Sequence, residues 1–147
     1  MREWEIEAGI AGTYIQRFDT RFAPKAPAHS ILNTAYQPVD FKGRTHLIAT
    51  RGGFTSALYI NYVDSYRNTQ SGLNARVGSW TTADMTVAYQ FASVTRLRGF
   101  ELSAGAINLS NARPPFVQNV SGVPVNYDGA NASPLGRFVF FEAIKKW

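Results

Sequence analysis

The stretch Thr81-Thr82-Ala83-Asp84-Met85-Thr86-Val87-Ala88-Tyr89-Gln90-Phe91 alternates with a period of two. Its odd positions are Thr81, Ala83, Met85, Val87, Tyr89 and Phe91, and its even positions are Thr82, Asp84, Thr86, Ala88 and Gln90. Successive side chains of an extended chain point to opposite faces, so one face here is apolar and the other polar. A helix would mix the two sets. The segment reads as a strand with one greasy and one wet face.

The pattern recurs on both sides of it. Trp4, Ile6, Ala8, Ile10 and Tyr14 alternate with Glu5, Glu7, Gly9, Ala11 and Thr13. Phe54, Leu58, Ile60, Tyr62 and Tyr66 alternate with Thr55, Ala57, Tyr59, Asn61 and Ser65. Phe100, Leu102, Ala104 and Ala106 face away from Glu101, Ser103 and Gly105, and Val139, Phe141, Ala143 and Trp147 oppose Phe138, Phe140, Glu142 and Lys146 less cleanly. Arg44 to Arg51 makes a further strand of ambiguous facing. The expectation is all-β, with about six strands and no helix.

The connections carry the next inference. Asp19 to Gly43, Asn68 to Ser79 and Leu109 to Leu135 are long and rich in turn formers, whereas Gly52-Gly53 suits a two-residue hairpin and Ala92 to Arg98 is short. Long and short connections therefore alternate. In an antiparallel meander, alternate connections share an end, so the long loops gather at one end of the sheet and the tight turns at the other. Strands of about ten residues with that asymmetry follow the pattern of outer-membrane barrels. Aromatics at strand ends (Trp4, Tyr14, Tyr66, Trp80, Phe91, Phe100, Trp147) suit interfacial girdles. The expected fold is thus an antiparallel meander forming part of the wall of a transmembrane β-barrel. A small soluble β-barrel or sandwich binding module, with its apolar face turned inward, is the alternative.

Composition narrows the classes. The 147 residues are 45% apolar and 14% aromatic but only 17% charged, which argues against a disordered tail. Without cysteine there are no disulfides, thiolate metal sites or thiol nucleophiles. The net charge is +5, but the cations are spread mostly singly from Arg2 to Lys146, so no phosphate groove for nucleic acid is expected. Met1 to Ile10 carries three glutamates and no apolar core, so no signal peptide is expected there. His29 and His46 sit in no ligand or nucleophile motif, and no Gly-x-Ser-x-Gly occurs. Asp128, Asn126 and Asn131 match no dedicated calcium loop, and Asp128-Gly129 reads as a turn. No catalytic, cofactor or metal residues are assigned, and the chain is not expected to be an enzyme.

Several motifs add a resemblance. Ala106-Ile107-Asn108-Leu109-Ser110-Asn111-Ala112-Arg113-Pro114-Pro115-Phe116-Val117 resembles the closing region of TonB-dependent outer-membrane receptors, where an N-L-F-D strand end precedes a P-P-F loop. Asn126-Tyr127-Asp128-Gly129-Ala130-Asn131 and Ser133-Pro134-Leu135-Gly136-Arg137-Phe138 are similar to that family's lead into its last strand. Asn61-Tyr62-Val63-Asp64-Ser65-Tyr66-Arg67 and Arg76-Val77-Gly78-Ser79-Trp80 resemble its earlier hairpins. Ser110-Asn111 and Gly129 depart from the family pattern, at loop positions.

The resemblance implies that residues 1–147 form the C-terminal part of a receptor barrel of about 22 strands, without the plug domain. It implies a place in the outer membrane and, in the whole receptor, uptake of a siderophore, vitamin or glycan. The implied partners are outer-membrane lipid, the plug and remaining strands, the barrel-assembly machinery, and TonB only through the plug. Val139, Phe141, Ala143 and Trp147 match the terminal assembly signal, with Lys145 at a usually apolar position. Arg67, Arg76, Arg113 and Arg137 would form a basic outer rim able to attract lipopolysaccharide or an acidic metal chelate. No cofactor and no nucleic acid are implied.

Overall fold

The computed structural model describes residues 3–70, 72, 74–91, 97–120 and 125–146. Among these residues ten strands follow one another: β1 (Glu5–Tyr14), β2 (Asp19–Thr20), β3 (His29–Ser30), β4 (Phe41–Arg51), β5 (Phe54–Val63), β6 (Tyr66–Asn68), β7 (Ala75–Val77), β8 (Trp80–Phe91), β9 (Phe100–Ile107) and β10 (Phe138–Lys145). No helix occurs among the described residues. Six of the strands form one antiparallel sheet in the order β1-β4-β5-β8-β9-β10, a meander in which each long strand pairs with the next. The sheet is open, with β1 and β10 at its two edges. The pairs β2-β3 and β6-β7 are short ribbons within the long connections.

Register preserves the two faces across the whole sheet. Ala8 opposes Leu47, Leu47 opposes Leu58, Leu58 opposes Met85 and Met85 opposes Ala106. On the other face Gly9, His46, Tyr59 and Asp84 form one row. Because lateral partners share a face, the period-two pattern of each strand merges into one apolar and one polar surface.

The Gly52-Gly53 turn joins Arg51 to its partner Phe54. Only Gly52 has positive φ (63°), which fits a turn with glycine first. Gly53 is required for a different reason: a Cβ there would lie 2.3 Å from the Gln90 carbonyl oxygen of β8. At the next tight turn, Gly99 (φ 77°) joins the end of β10 through the Lys146 amide, at 2.9 Å.

Three expectations shift at the margins. The second long strand begins at Phe41, before Arg44. The third ends at Val63, because the Asp64 carboxylate accepts the Ser65 amide at 2.6 Å and takes it out of the ladder. Tyr66 therefore leaves the sheet for β6, where it is buried. Trp147 and most of the Ala92 to Arg98 turn lie outside the described residues.

Candidate functional site: a bare apolar face and a loop-end cap

The buried hydrophobic cluster of Ala35, Val39, Tyr66, Val77 and Val117 lies entirely in the connections. Among the described buried residues only Thr82 belongs to the six-stranded sheet. The apolar face of that sheet is uncovered: Ile10 and Phe141 are each 83% exposed, and Ile6, Leu47, Met85 and Leu102 are also open. No patch of this extent is ordinary on a monomer in water.

The face is organised along the strands. Aliphatic and small residues fill its middle, from Ile6, Ala8 and Ile10 through Leu58 and Met85 to Ala104 and Ala106. Aromatics sit at both ends. At the tight-turn end Trp4 meets Phe54 edge-on at 6.2 Å, Phe54 opposes Tyr89, Tyr89 packs on Phe91 at 4.8 Å, and Phe91 opposes Phe100. At the loop end Tyr14 opposes Phe41, whose ring lies 6.1 Å from that of Tyr62. Trp4, Tyr14, Phe91 and Phe100 thus occupy the expected end positions. Tyr66 does not, being buried among the loops, and Trp80 stands at a strand end but opposes Val63 on the polar face.

The polar face carries paired groups. His46 Nε2 lies 3.3 Å from Glu7 Oε1, Lys146 lies 3.5 Å from Glu101, and Ser103 donates to Glu142 at 3.4 Å. Asp84 accepts from Asn61 at 2.8 Å and from the Asn108 amide at 2.9 Å. The Arg44 guanidinium stacks on Tyr59 at 4.3 Å. No group of three or more His, Cys, Asp or Glu side chains suited to a metal occurs among the described residues. No described helix is long and apolar enough to cross a membrane, which leaves strands untouched as a means of crossing.

At the loop end the three long connections (15–40, 64–79 and 108–137) are tied together. Between the first and second, the Ala35 amide donates to the Arg67 carbonyl and the Arg67 amide to Asn33, each at 2.9 Å. Between the second and third, Asn68 Nδ2 donates to the Gln118 carbonyl at 2.8 Å. Asp128, wholly buried, joins all three. Its Oδ1 accepts the Ala130 amide at 2.8 Å, and its Oδ2 accepts the Tyr36 amide at 2.9 Å and Asn131 Nδ2 at 2.8 Å. Tyr66 also hydrogen-bonds to this carboxylate. The Asp128-Gly129 turn is present as expected, but its acid is also the keystone of the cap. Asn131 faces Asp128 as a donor, not as a fellow ligand.

Tyr36 takes a left-handed conformation, φ 65°, which costs a bulky residue about 1–3 kcal/mol and is held by that bond to Asp128. Burial, the Asp128 charge and the hydrogen bond to it push the Tyr66 phenol well above its ordinary range. Burial and the same carboxylate raise Tyr36. Asn108 closes the end of β9: its side chain donates to the Ala112 carbonyl and accepts the Ala112 amide, which stabilises its positive φ of 51°.

The sequence-derived site residues fall in three places. Val139, Phe141 and Ala143 lie exposed along β10, opposite Ala106, Ala104 and Leu102 on the apolar face. Lys145, at the position where an apolar side chain was expected, lays its ammonium 4.7 Å from the centre of the Phe100 ring and donates to the Arg98 carbonyl. Arg67 and Arg76 are brought directly opposite each other on β6-β7. Arg113 is exposed in the third connection, and Arg137 is fixed there through its amide to Asn111 Oδ1 at 2.9 Å. Comparison with protein-family models, curated proteins and solved structures returns no match to this chain.

Proposed function

We propose that this chain is a stretch of transmembrane β-barrel wall, the C-terminal part of a TonB-dependent outer-membrane receptor. Its role in that receptor is to supply wall, outer loops and assembly signal for uptake of a siderophore, vitamin or glycan. The observation that carries the membrane reading is the uncovered apolar face, aliphatic in the middle and bounded by aromatics at both ends. Hydrocarbon suits the middle, and the amphipathic rings suit the two headgroup levels.

Dimensions agree. A ten-residue strand such as β1 or β5 rises about 33 Å along its axis. Tilted by about 45° it spans about 23 Å, close to the roughly 25 Å apolar band of such barrels. The four inner strands are paired on both sides over most of their length, whereas β1 and β10 each leave one side open, and in hydrocarbon those edges require further strands. The receptor assignment rests on the resemblance of Asn108 to Phe138, and on the exposed apolar row of β10 as a signal for the assembly machinery. The chain has no assigned reaction chemistry.

The test is the medium in which the chain folds. The purified full chain should aggregate in buffer, and recover its strand signal in non-ionic detergent or phospholipid vesicles. In cells, photo-cross-linkers at Val139 and Phe141 should capture the barrel-assembly machinery. A folded monomer in buffer, with Met85, Val87, Tyr89 and Phe141 protected from solvent, would overturn the membrane reading in favour of the soluble module. Failure to capture that machinery would remove the receptor assignment.

A further inference from the structure

In the β6-β7 ribbon, Tyr66 opposes Val77 and both side chains are buried, so the intervening pair Arg67 and Arg76 emerges together on the outer face. Two like charges directly opposite on paired strands repel, and a ribbon of three residues per strand has little ladder energy to oppose them. Neither guanidinium has an ion-pair partner among the described residues. The hydrogen bonds they make are long: Arg67 to the Asn74 carbonyl and Arg76 to Ser65 Oγ, each at 3.4 Å.

Both arginines line a cavity of about 420 Å³ between the first and second connections, shared with Leu32, Asn33, Thr34, Ser65, Tyr66 and Thr69. No carboxylate is in that lining. Asp64, next to Ser65, is turned instead to the Tyr62 hydroxyl and the Ser65 amide. The volume lies within the range of small-molecule sites, about 300–1,000 Å³. The wall is fixed by the Ala35–Arg67 and Arg67–Asn33 backbone bonds, so the pair is held on a braced ribbon.

We propose that Arg67 and Arg76 form a binding site for a phosphate dianion. A guanidinium presents planar forks of N–H donors that match the oxygens of phosphate bidentately. Two opposed forks call for a group with two charges and at least three acceptor oxygens, which a monocarboxylate lacks. The dianion also offsets the repulsion between the two opposed guanidinium groups. The phosphate can be carried by a free solute or by a lipid whose headgroup is a phosphate monoester, and both present the same three terminal oxygens. The site stands on the ribbon geometry, so it holds whichever medium the apolar face meets.

The experiment is calorimetric titration of the full chain in non-ionic detergent with inorganic phosphate, glucose 6-phosphate and acetate. A separate arm uses mixed micelles containing phosphatidic acid. Phosphate compounds should bind at least about tenfold more tightly than acetate, equivalent to about 1.4 kcal/mol. R67Q/R76Q should lose that preference, and R67K/R76K should keep only part of it. Binding of the free compounds alone assigns a soluble ligand, and binding of the micelle arm alone assigns a headgroup. Thermal melts guard against misfolding: without ligand R67Q/R76Q should melt at the same or a higher temperature than the parent, and phosphate should raise only the parent. Equal affinity for acetate and phosphate, unchanged phosphate binding in R67Q/R76Q, or a lower melting temperature of that variant without ligand would each overturn the proposal. None of these outcomes bears on whether the chain folds in lipid.

Discussion

Replacing Asp128 with alanine removes the acceptor for the Tyr36 and Ala130 amides, for Asn131 Nδ2 and for the Tyr66 hydroxyl. Each buried donor left without an acceptor costs about 1–3 kcal/mol. Water entering the vacated space can satisfy about two of the four, so the cap should lose about 2–6 kcal/mol. The loss should stay local, because none of the four partners lies in the six-stranded sheet. Hydrogen exchange on the full chain in detergent separates the two regions. The Ala35, Tyr36 and Arg67 amides, which bond across or into the cap, should lose protection by that amount, while Leu58 and Val87 in the sheet should keep theirs. Asp128→Asn keeps the shape and one acceptor but turns an N–H₂ toward a donor, and should fall between the parent and D128A. Cap amides in D128A protected to within about 1 kcal/mol of the parent would refute the keystone role. Equal loss in the sheet would refute the separateness of the cap.

Three further outcomes follow from the same geometry. The raised Tyr66 phenol favours the neutral form in the folded cap, so its contribution is complete below the unfolded value of about 10 and is lost as pH rises beyond it. Cap protection should fall above about pH 10, and Tyr66→Phe should flatten that dependence while lowering protection at neutral pH. Met85→Arg, in the middle of the apolar face, should cost about 2–4 kcal/mol of folding in vesicles, whereas Thr86→Arg on the polar face should cost far less; equal costs would contradict a lipid-facing surface. Gly53→Ala drives a methyl into the Gln90 carbonyl, so it should lower the melting temperature of the β4-β5 hairpin and its β8 partner, with the exchange of the Gln90 amide as the local readout.

The strands were legible because alternation is a local property and one face is mostly apolar, with Thr45, Arg51, Ser56, Thr81 and Lys145 as exceptions. β8 shows this best, since its odd and even positions sort without reference to any other part of the chain. The alternation of long and short connections likewise foretold that the loops would share an end. Tyr66 was misplaced by extending the period through Asp64-Ser65, where a side chain captures the backbone amide and ends the ladder. Trp80 keeps its end position, and its place on the polar face follows from the alternation itself, since it shares parity with Thr82 and Asp84. Asp128 reads in sequence like any Asp-Gly turn, because what makes it a keystone is a bond to Tyr36, 92 residues away. The basic rim was visible as composition, but the opposition of Arg67 and Arg76 depends on the pairing of two three-residue strands that carry no pattern of their own.

The knot of loops has a consequence for how the hairpins align. A one-residue slip between neighbouring strands is forbidden, since it would turn oily side chains to the wet side. A two-residue slip, about 6.8 Å, leaves every side chain on its proper face, so the sheet alone distinguishes it poorly. The cap distinguishes it well: moving any one hairpin that far would tear Tyr36, Tyr66 or Asn131 away from a single carboxylate. Asp128 therefore acts as a vernier, setting the strands' alignment from outside the sheet they belong to.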